Sequence, residues 1–374
     1  MPPVYLDYNA TAPIRPEAAE AVRRALEMCG NPSSVHRFGR DARKLVEDAR
    51  ETIAAFVGAA PAQIVFTGSG SAANNAALRV AGRDRLVVSA IEHESVLRAA
   101  GEDAALIPVD PAGVVDVEAL DRILAADARS ALVSVMLANN ETGVIQPIEA
   151  VVACARRHGA LVHCDAVQAL GRIDVDFNAL GLDLMTLSAH KLGGPQGVGA
   201  LVVADRVALD PLVKGGGQER SRHAGTENVP GIAGFAAAAA AVAAAPAERC
   251  RVAALRGRLE DALRRTAPAA RIFGGEVDRL PNTCCVAMPG VASETQVMAL
   301  DLAGFAVSAG SACSSGRVQT SHVLRAMGVD EEEAASAIRV SLGWRSSAAD
   351  VDAFVAAWSA LYRRAAARRT STAA

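Results

Sequence analysis

The feature that most restricts the fold is an alternation of short apolar strands and helices between about residues 64 and 204. Such an alternation is typical of a parallel β-sheet with helices packed on its faces. Sheets of this class bind ligands outside the carboxyl ends of their strands. The sequence therefore predicts an α/β protein with a ligand cleft along one edge of a mostly parallel sheet.

The predicted elements follow hydrophobic periodicity and turn residues. Strands are predicted at 64–67, 85–90, 131–137, 160–164, 184–187 and 198–203. Helices are predicted at 17–29, 41–56, 96–100, 117–125 and 148–158, with a polar loop at 31–39. An alanine-rich buried helix over 233–247 indicates a domain boundary. Beyond it we predict a smaller α/β unit with helices at 251–266, 321–327 and 348–364, and a frayed tail from 363 to 374.

Composition limits the possible partners. The chain has 374 residues, 51% of them hydrophobic, which is enough for a large core and about two domains. A net charge of −3 without a basic block predicts no binding to nucleic acid or to a membrane, and the N-terminus lacks a signal-peptide pattern. Seven cysteines without a CxxC pair predict a cytoplasmic protein that has no disulfide framework. We predict no metal site.

Lys191 directly follows the predicted strand 184–187, within the sequence Ser188-Ala-His190-Lys191. It is one of only three lysines among 38 basic residues, so arginine supplies nearly all other positive charge. A desolvated lysine can lose its proton and attack a carbonyl group, whereas arginine stays protonated. Lys191 is therefore a candidate Schiff-base lysine, although an ordinary surface lysine is an equally open interpretation here.

Three further groups fall at strand ends. Gly68-Ser-Gly70-Ser71 opens a helix after a strand and could bind phosphate, Asp165 is a carboxylate at the end of an apolar strand, and His93 could stack on a planar ligand. Each also has an ordinary interpretation, as a glycine-rich turn, a helix N-cap and a loop histidine. Together with Lys191, they are the parts that a pyridoxal phosphate (PLP) site requires.

Two residues outside this sheet also suggest chemistry. Cys313 lies among glycines and small residues, which is typical of an exposed thiol that could reach a substrate, or of a turn with an incidental cysteine. Arg339 lies in an apolar, strand-like segment. A buried arginine requires a carboxylate, and this could come from a substrate or from a structural partner.

These motifs carry a family resemblance. The chain resembles the cysteine desulfurases of iron–sulfur cluster assembly, which belong to the class-V aminotransferase family of fold-type-I PLP enzymes. The matching segments are 5–13 (YLDYNATAP), 30–39 (GNPSSVHRFG), 138–148 (ANNETGVIQPI), 163–168 (HCDAVQ), 188–191 (SAHK), 215–220 (GGGQER), 225–230 (GTENVP), 308–316 (SAGSACSSG) and 336–343 (SAIRVSLG). The resemblance implies a large PLP-binding domain over 14–247 with a mostly parallel seven-stranded sheet. It also implies a smaller α/β domain, made of 1–13 and 248–374, that carries the cysteine loop.

The resemblance also implies residue roles. Lys191 would hold PLP, Asp165 would pair with its pyridine nitrogen, and His93 would stack on its ring and could assist as a base. The phosphate would be bound by Gly70, Ser71, Ser188 and His190, joined by Thr226 from a second copy of the chain. Gln168 and Asn140 would contact the oxygen side of the ring, with Asn140 also near the substrate carboxylate that Arg339 binds.

The implied function is conversion of L-cysteine to L-alanine, with the sulfur held on Cys313 as a persulfide. The implied partners are a second copy of the chain, in a homodimer, and an iron–sulfur scaffold or another sulfur acceptor. A selenocysteine lyase, another aminotransferase-fold enzyme and a non-catalytic scaffold for sulfur carriers are the alternatives. Two residues depart from the family pattern: Ala72 replaces a glutamate of the phosphate loop, and His223 stands where an arginine is common.

Overall fold

The computed structural model describes residues 3–83, 85–310 and 320–372. The strands are β1 (Val4–Tyr5), β2 (Ile64–Thr67), β3 (Arg85–Ser89), β4 (Ala105–Ile107), β5 (Ala131–Ser134), β6 (Leu161–Asp165), β7 (Leu184–Ser188), β8 (Gly199–Val203), β9 (Arg271–Phe273), β10 (Thr283–Ala287), β11 (Phe305–Ala306), β12 (Ser308–Ala309) and β13 (Ala337–Ser341). The helices are α1 (Pro16–Leu26), α2 (Arg37–Phe56), α3 (Gly70–Ala77), α4 (Glu94–Ala100), α5 (Val117–Ala125), α6 (Ile148–Arg157), α7 (Val229–Ala243), α8 (Ala247–Thr266), α9 (Ser293–Leu302), α10 (His322–Ala326), α11 (Glu331–Ala335) and α12 (Ala348–Thr372).

The largest sheet has seven strands in the order β2-β8-β7-β6-β5-β3-β4. The strands from β7 to β4 run parallel, whereas β8 runs antiparallel to both of its neighbours. All residues of β2, β5, β7 and β8 are buried, as expected for strands that are covered on both faces. The predicted α/β fold with a mostly parallel sheet is therefore confirmed.

A second sheet of four antiparallel strands, in the order β12-β13-β10-β9, lies in the C-terminal part of the chain. Its core residues include Cys284, Val286, Ile338 and Trp358, and Leu6 from the N-terminal arm packs with them. The arm also pairs with this part of the chain, because β1 forms a short parallel ladder with β11. The first residues of the chain thus pack against strands that come some 300 residues later.

Two predictions about the elements are wrong, and one strand was missed. Segment 31–39 is not a loop throughout, because α2 already begins at Arg37, where the His36 side chain accepts a hydrogen bond from the Gly39 amide. The short strand β4 was not predicted. The tail does not fray from residue 363, since α12 continues to Thr372 through a segment rich in alanine and arginine, which are strong helix formers.

The alanine-rich helix is α7, which buries Phe235, Ala238 and Ala239. Across residues 3–83, 85–310 and 320–372, no single helix is long and apolar enough to cross a membrane. Only the pair α7 and α8 taken together reaches the required length and apolar composition, and the two helices are bent by 77° at the break between them. Cys154 and Cys164 are buried in the core, whereas Cys29 and Cys250 are exposed thiols.

Candidate active site

A pocket opens at the carboxyl ends of the parallel strands. Its volume of about 290 Å³ lies near the lower end of the range of small-molecule sites, about 300–1,000 Å³. Nine of the residues predicted from the sequence line it: Gly70, Ser71, His93, Asn140, Asp165, Gln168, Ser188, His190 and Lys191. The topology explains this convergence, because β6 ends at Asp165 and β7 ends at Ser188, and parallel neighbours end at the same edge of a sheet.

Three predicted residues are not among those that line the pocket. Arg339 is buried in β13 of the second sheet. Thr226 is exposed in the segment before α7. Cys313 lies outside the described residues.

Lys191 closes a short 3₁₀ turn, Ala189–Lys191, that follows β7. It is partly buried, and its Nζ donates hydrogen bonds to the backbone carbonyl oxygens of Asn9, at 2.6 Å, and of Ala10, at 2.9 Å. The amine is therefore positioned by the N-terminal arm, at the wall of the pocket. This placement favours a reactive lysine over an ordinary surface lysine.

Asp165 is buried, and each of its oxygens accepts a hydrogen bond. Asn74 Nδ2 donates to Oδ2 at 2.7 Å, and the Val167 amide donates to Oδ1 at 2.9 Å. A carboxylate fixed in this way at a pocket wall is suited to pair with a cationic group of a ligand.

The other end of the pocket is formed by the start of α3. Ser69 caps this helix by accepting a hydrogen bond from the Ala72 amide at 3.1 Å. The first amides of a helix have no partner within the helix, so they are available to an anion. Strand β8 approaches the helix start so closely that a Cβ atom on Gly199 would lie 2.6 Å from the Ser69 carbonyl carbon.

Two histidines near the strand ends, the partly buried His190 and the buried His163, are held neutral. Burial, with help from the positive charges of Lys191 and Arg172, lowers the pKa of His190 to about 4, and its Nδ1 lies 3.1 Å from Thr11 Oγ1. Burial likewise lowers the pKa of His163 to about 4, between the hydroxyls of Ser134 and Thr186. A neutral imidazole at His190 can donate one hydrogen bond without adding charge to the pocket.

His93 caps α4 rather than lying in an unstructured loop. Its Nδ1 accepts a hydrogen bond from the Ser95 amide at 3.1 Å and lies 2.8 Å from Ser95 Oγ. These contacts fix the orientation of the ring at the pocket. The cap also links His93 to Asp165, because Asn74 donates to both Ser95 Oγ and the Asp165 carboxylate.

Sequence reasoning did not single out Asn9, which is the centre of the hydrogen-bond network behind Lys191. Its carbonyl oxygen accepts from Lys191 and Gln168, and its side chain contacts the Asn140 carbonyl, Thr283 and Asn282. Asn74 and Arg172 were missed in the same way. Asn9 and Asn74 could have been noticed because both lie inside sequence motifs. A motif, however, does not show which residues a side chain will contact.

A group of side chains of metal-ligand type, Asp121, Cys154 and His158, lies between α5 and α6. Asp121 Oδ1 accepts a hydrogen bond from Arg157 at 2.8 Å and lies 2.9 Å from His158 Nε2 and 3.6 Å from Cys154 Sγ. An arginine paired with the same oxygen accounts for this group as an ion-pair cluster. The prediction that the chain binds no metal stays a prediction.

The class of protein follows from this fold and from comparison with known proteins. A model of the class-V aminotransferase family, described as "Aminotransferase class-V", matches residues 4–354. The chain therefore belongs to the class-V aminotransferase family.

Curated relatives show that the chain belongs to the cysteine desulfurase branch of this family. A cysteine desulfurase from Cereibacter sphaeroides is 44% identical over 363 residues, which cover 93% of each chain. One from Bradyrhizobium diazoefficiens is 42% identical and covers 97% of this chain and 95% of its own. The solved structure of a NifS-like protein from Rickettsia africae superposes with a TM-score of 0.91 at 37% identity, over 96% of this chain and 99% of that chain. A structure described as SspA in complex with cysteine matches with a TM-score of 0.79 at 30% identity, over 91% of this chain and 99% of that chain.

Proposed function

We propose that the chain is a PLP-dependent cysteine desulfurase, which converts L-cysteine to L-alanine and holds the sulfur on Cys313 as a persulfide. The observation that carries this proposal is that the ends of β6 and β7 bring Asp165 and Lys191 into one pocket with the start of α3. The cysteine desulfurases among the relatives support the choice of substrate.

The side chains of the pocket fit PLP. The buried Asp165 carboxylate is an acceptor for a protonated ring nitrogen, and the start of α3 suits a phosphate. The residues proposed to hold the group are Gly70, Ser71, His93, Asn140, Asp165, Gln168, Ser188, His190 and Lys191, with Thr226 from a second copy of the chain. When bound, PLP stores the electron pair that proton removal leaves on the α-carbon of an amino acid.

The protein's own residues then have two tasks. Lys191, as a neutral amine, takes the α-proton of the substrate and returns a proton, and the carbonyls of Asn9 and Ala10 orient its nitrogen for this. The Cys313 thiolate attacks the substrate sulfur, so that an S–S bond forms while the C–S bond breaks. The electron pair of the C–S bond remains on carbon, which takes up a proton and leaves as alanine. His93 is proposed to assist as the base for the thiol.

Replacing the proposed acceptor thiol tests the persulfide step. Cys313→Ala should keep the absorbance of bound PLP but lose alanine formation from cysteine, because no thiolate is left to take the sulfur. Cys29→Ala removes an exposed thiol instead and is the matched control, with activity expected near that of the unchanged protein. Normal alanine formation by Cys313→Ala would reject the step.

Replacing the lysine tests the cofactor assignment. Lys191→Ala should abolish both the visible absorbance of covalently held PLP and alanine formation, because the amine is lost. Lys214→Ala is the control, since Lys214 is exposed and forms a surface ion pair with Asp210. Retention of the absorbance by Lys191→Ala would show that another residue holds the group.

We further propose a cytoplasmic homodimer that passes sulfur to an iron–sulfur scaffold or another acceptor protein. The exposure of Thr226 supports a role toward a second copy, and the exposed thiols of Cys29 and Cys250 fit a reducing compartment. Sedimentation will measure the oligomeric state, and a fully active monomer would contradict the shared phosphate site. Radiolabelled cysteine sulfur will identify the acceptor by the protein to which the label moves.

The domain division is part of the same proposal: 14–247 as the PLP-binding domain, and 1–13 with 248–374 as the small domain. It is supported by the separate packing of the two largest apolar clusters. One is drawn almost wholly from residues 18–242, and the other combines Leu6 with residues 252–361. Leu280 is the exception, because it packs with the first cluster.

A further inference from the structure

Arg339 is paired within the protein by the carboxylate of Asp7. Arg339 Nη2 lies 2.7 Å from Asp7 Oδ1, and both side chains are largely buried. The second oxygen of Asp7 accepts a hydrogen bond from Ser308 Oγ at 2.7 Å. Ser308 lies opposite Arg339 in the ladder between β12 and β13, so Asp7 bridges two neighbouring strands. The structural partner expected of a buried arginine is therefore Asp7.

This pair leaves part of the guanidinium unused. Arg339 Nη1 donates to the Asn140 carbonyl at 3.0 Å, whereas the buried Nε has no hydrogen-bond partner among the described residues. Arginine binds carboxylates best through two parallel hydrogen bonds, and Asp7 uses one of its oxygens for Ser308 instead. Asn140 itself lines the pocket, so the guanidinium lies directly behind the pocket wall.

The backbone of Asp7 is held in place. The Ser341 amide donates to the Leu6 carbonyl at 2.8 Å, and the Tyr8 amide donates to the Ser341 carbonyl at 3.2 Å, so the arm is fixed beside β13. A change of partner for Arg339 therefore requires rotation of side chains and not movement of the arm. The free energy of this exchange depends on the charge of Asp7 and on the hydrogen bond from Ser308.

We propose that Asp7 is a positioning residue that occupies Arg339 in the absence of substrate and competes with the α-carboxylate of an incoming amino acid for its guanidinium. The inference rests on the proposed function, in which Arg339 binds that carboxylate. Under this inference, the affinity for amino acids depends on an exchange at Arg339 between the Asp7 carboxylate and the α-carboxylate of the ligand. Asp7 holds the guanidinium ready behind the pocket wall, and it lowers the affinity for amino acids in doing so.

The test measures binding of L-alanine to the PLP-loaded protein through the change in cofactor absorbance. Asp7→Asn keeps the shape of the side chain and removes its charge, so the Kd of L-alanine should fall by at least about threefold, or about 0.7 kcal/mol. The Kd of L-alaninamide, which has no carboxylate, should not change. Asp41→Asn, on the exposed surface of α2, is the control for loss of one negative charge.

A second variant keeps the inference testable if Asp7→Asn does not fold. Ser308→Ala removes the hydrogen bond to Asp7, so the carboxylate should hold Arg339 more strongly and the Kd of L-alanine should rise. An unchanged or higher Kd in folded Asp7→Asn, an equal gain for L-alaninamide, or a lower Kd in Ser308→Ala would each overturn the inference. Failure of the proposed function is recognised separately, because unchanged protein would then form no alanine from cysteine.

Discussion

Two buried arginine–carboxylate pairs in this molecule have the same chemistry but differ in how many of their hydrogen-bonding groups are used. Arg50 and Glu219 form two parallel hydrogen bonds of 2.8 Å, and Glu219 also accepts from the Phe66 amide. Arg339 and Asp7 share a single contact, with Arg339 Nε left unpaired among the described residues. The first pair is saturated and suits an anchor, whereas the second retains an unused donor and suits exchange with a ligand.

A third buried carboxylate extends the comparison. Glu92 Oε1 accepts hydrogen bonds from Ser89 Oγ at 2.5 Å and from the Met136 amide at 2.7 Å, whereas its other oxygen has no partner among the described residues. Burial raises the pKa of Glu92 to about 8, although these two hydrogen bonds lower it. The three buried carboxyl groups are thus stabilised in different ways. Glu219 is fully paired, Asp7 is partly paired, and the raised pKa of Glu92 favours its protonated form.

The largest effect is expected at the saturated pair. Glu219→Gln should lower the free energy of unfolding by about 3–5 kcal/mol, because it removes the buried carboxylate that pairs with both terminal nitrogens of Arg50 and leaves only the half-exposed Glu47 as an opposite charge. The exposed pair of Arg258 and Asp352 provides the control, since Asp352→Asn should cost no more than about 1 kcal/mol. Urea unfolding measures the free energy of unfolding of both variants. Equal losses in Glu219→Gln and Asp352→Asn would show that the buried pair is no stronger an anchor than an exposed one.

The raised pKa of Glu92 should make the free energy of unfolding depend on pH. An unfolded glutamate titrates near pH 4.5 and folded Glu92 near 8, so the folded protein retains a proton that the unfolded chain loses. The stability of the unchanged protein should therefore fall relative to that of Glu92→Gln as the pH rises from 5 to 8. We expect a relative change of about 3–4 kcal/mol in urea unfolding at the two pH values. A difference independent of pH would contradict a protonated Glu92.

The smallest effect on stability is expected at the exchangeable pair. Asp7→Asn should lower the free energy of unfolding by about 1–2 kcal/mol, because it weakens a single contact with Arg339, whereas Glu219 pairs with two nitrogens of Arg50 and with the Phe66 amide. The Kd of L-alanine should nevertheless fall at least about threefold in this variant. If Asp7→Asn instead destabilises the protein as strongly as Glu219→Gln, the pair is an anchor and the comparison fails.

Much of the fold could be predicted because periodicity is a local property. Helix α5 was predicted with the bounds that it has, and β2 likewise. The direction of β8 was not predicted, since an apolar strand has the same pattern whether it runs parallel or antiparallel. The helix start at Arg37 was missed because it depends on a contact between His36 and Gly39.

Within the candidate site, the sequence determined which groups stand at strand ends. Asp165 and Lys191 follow apolar strands of a parallel sheet, and this alone predicts that they meet at one edge. Only the tertiary structure decided what holds them there: Asn74 on Asp165, and the carbonyls of Asn9 and Ala10 on the lysine amine. It also decided that Arg339 pairs with Asp7, 332 residues away. Residue types and local order fix the chemistry that is possible, whereas partners distant in the chain are fixed by packing, which no local pattern encodes.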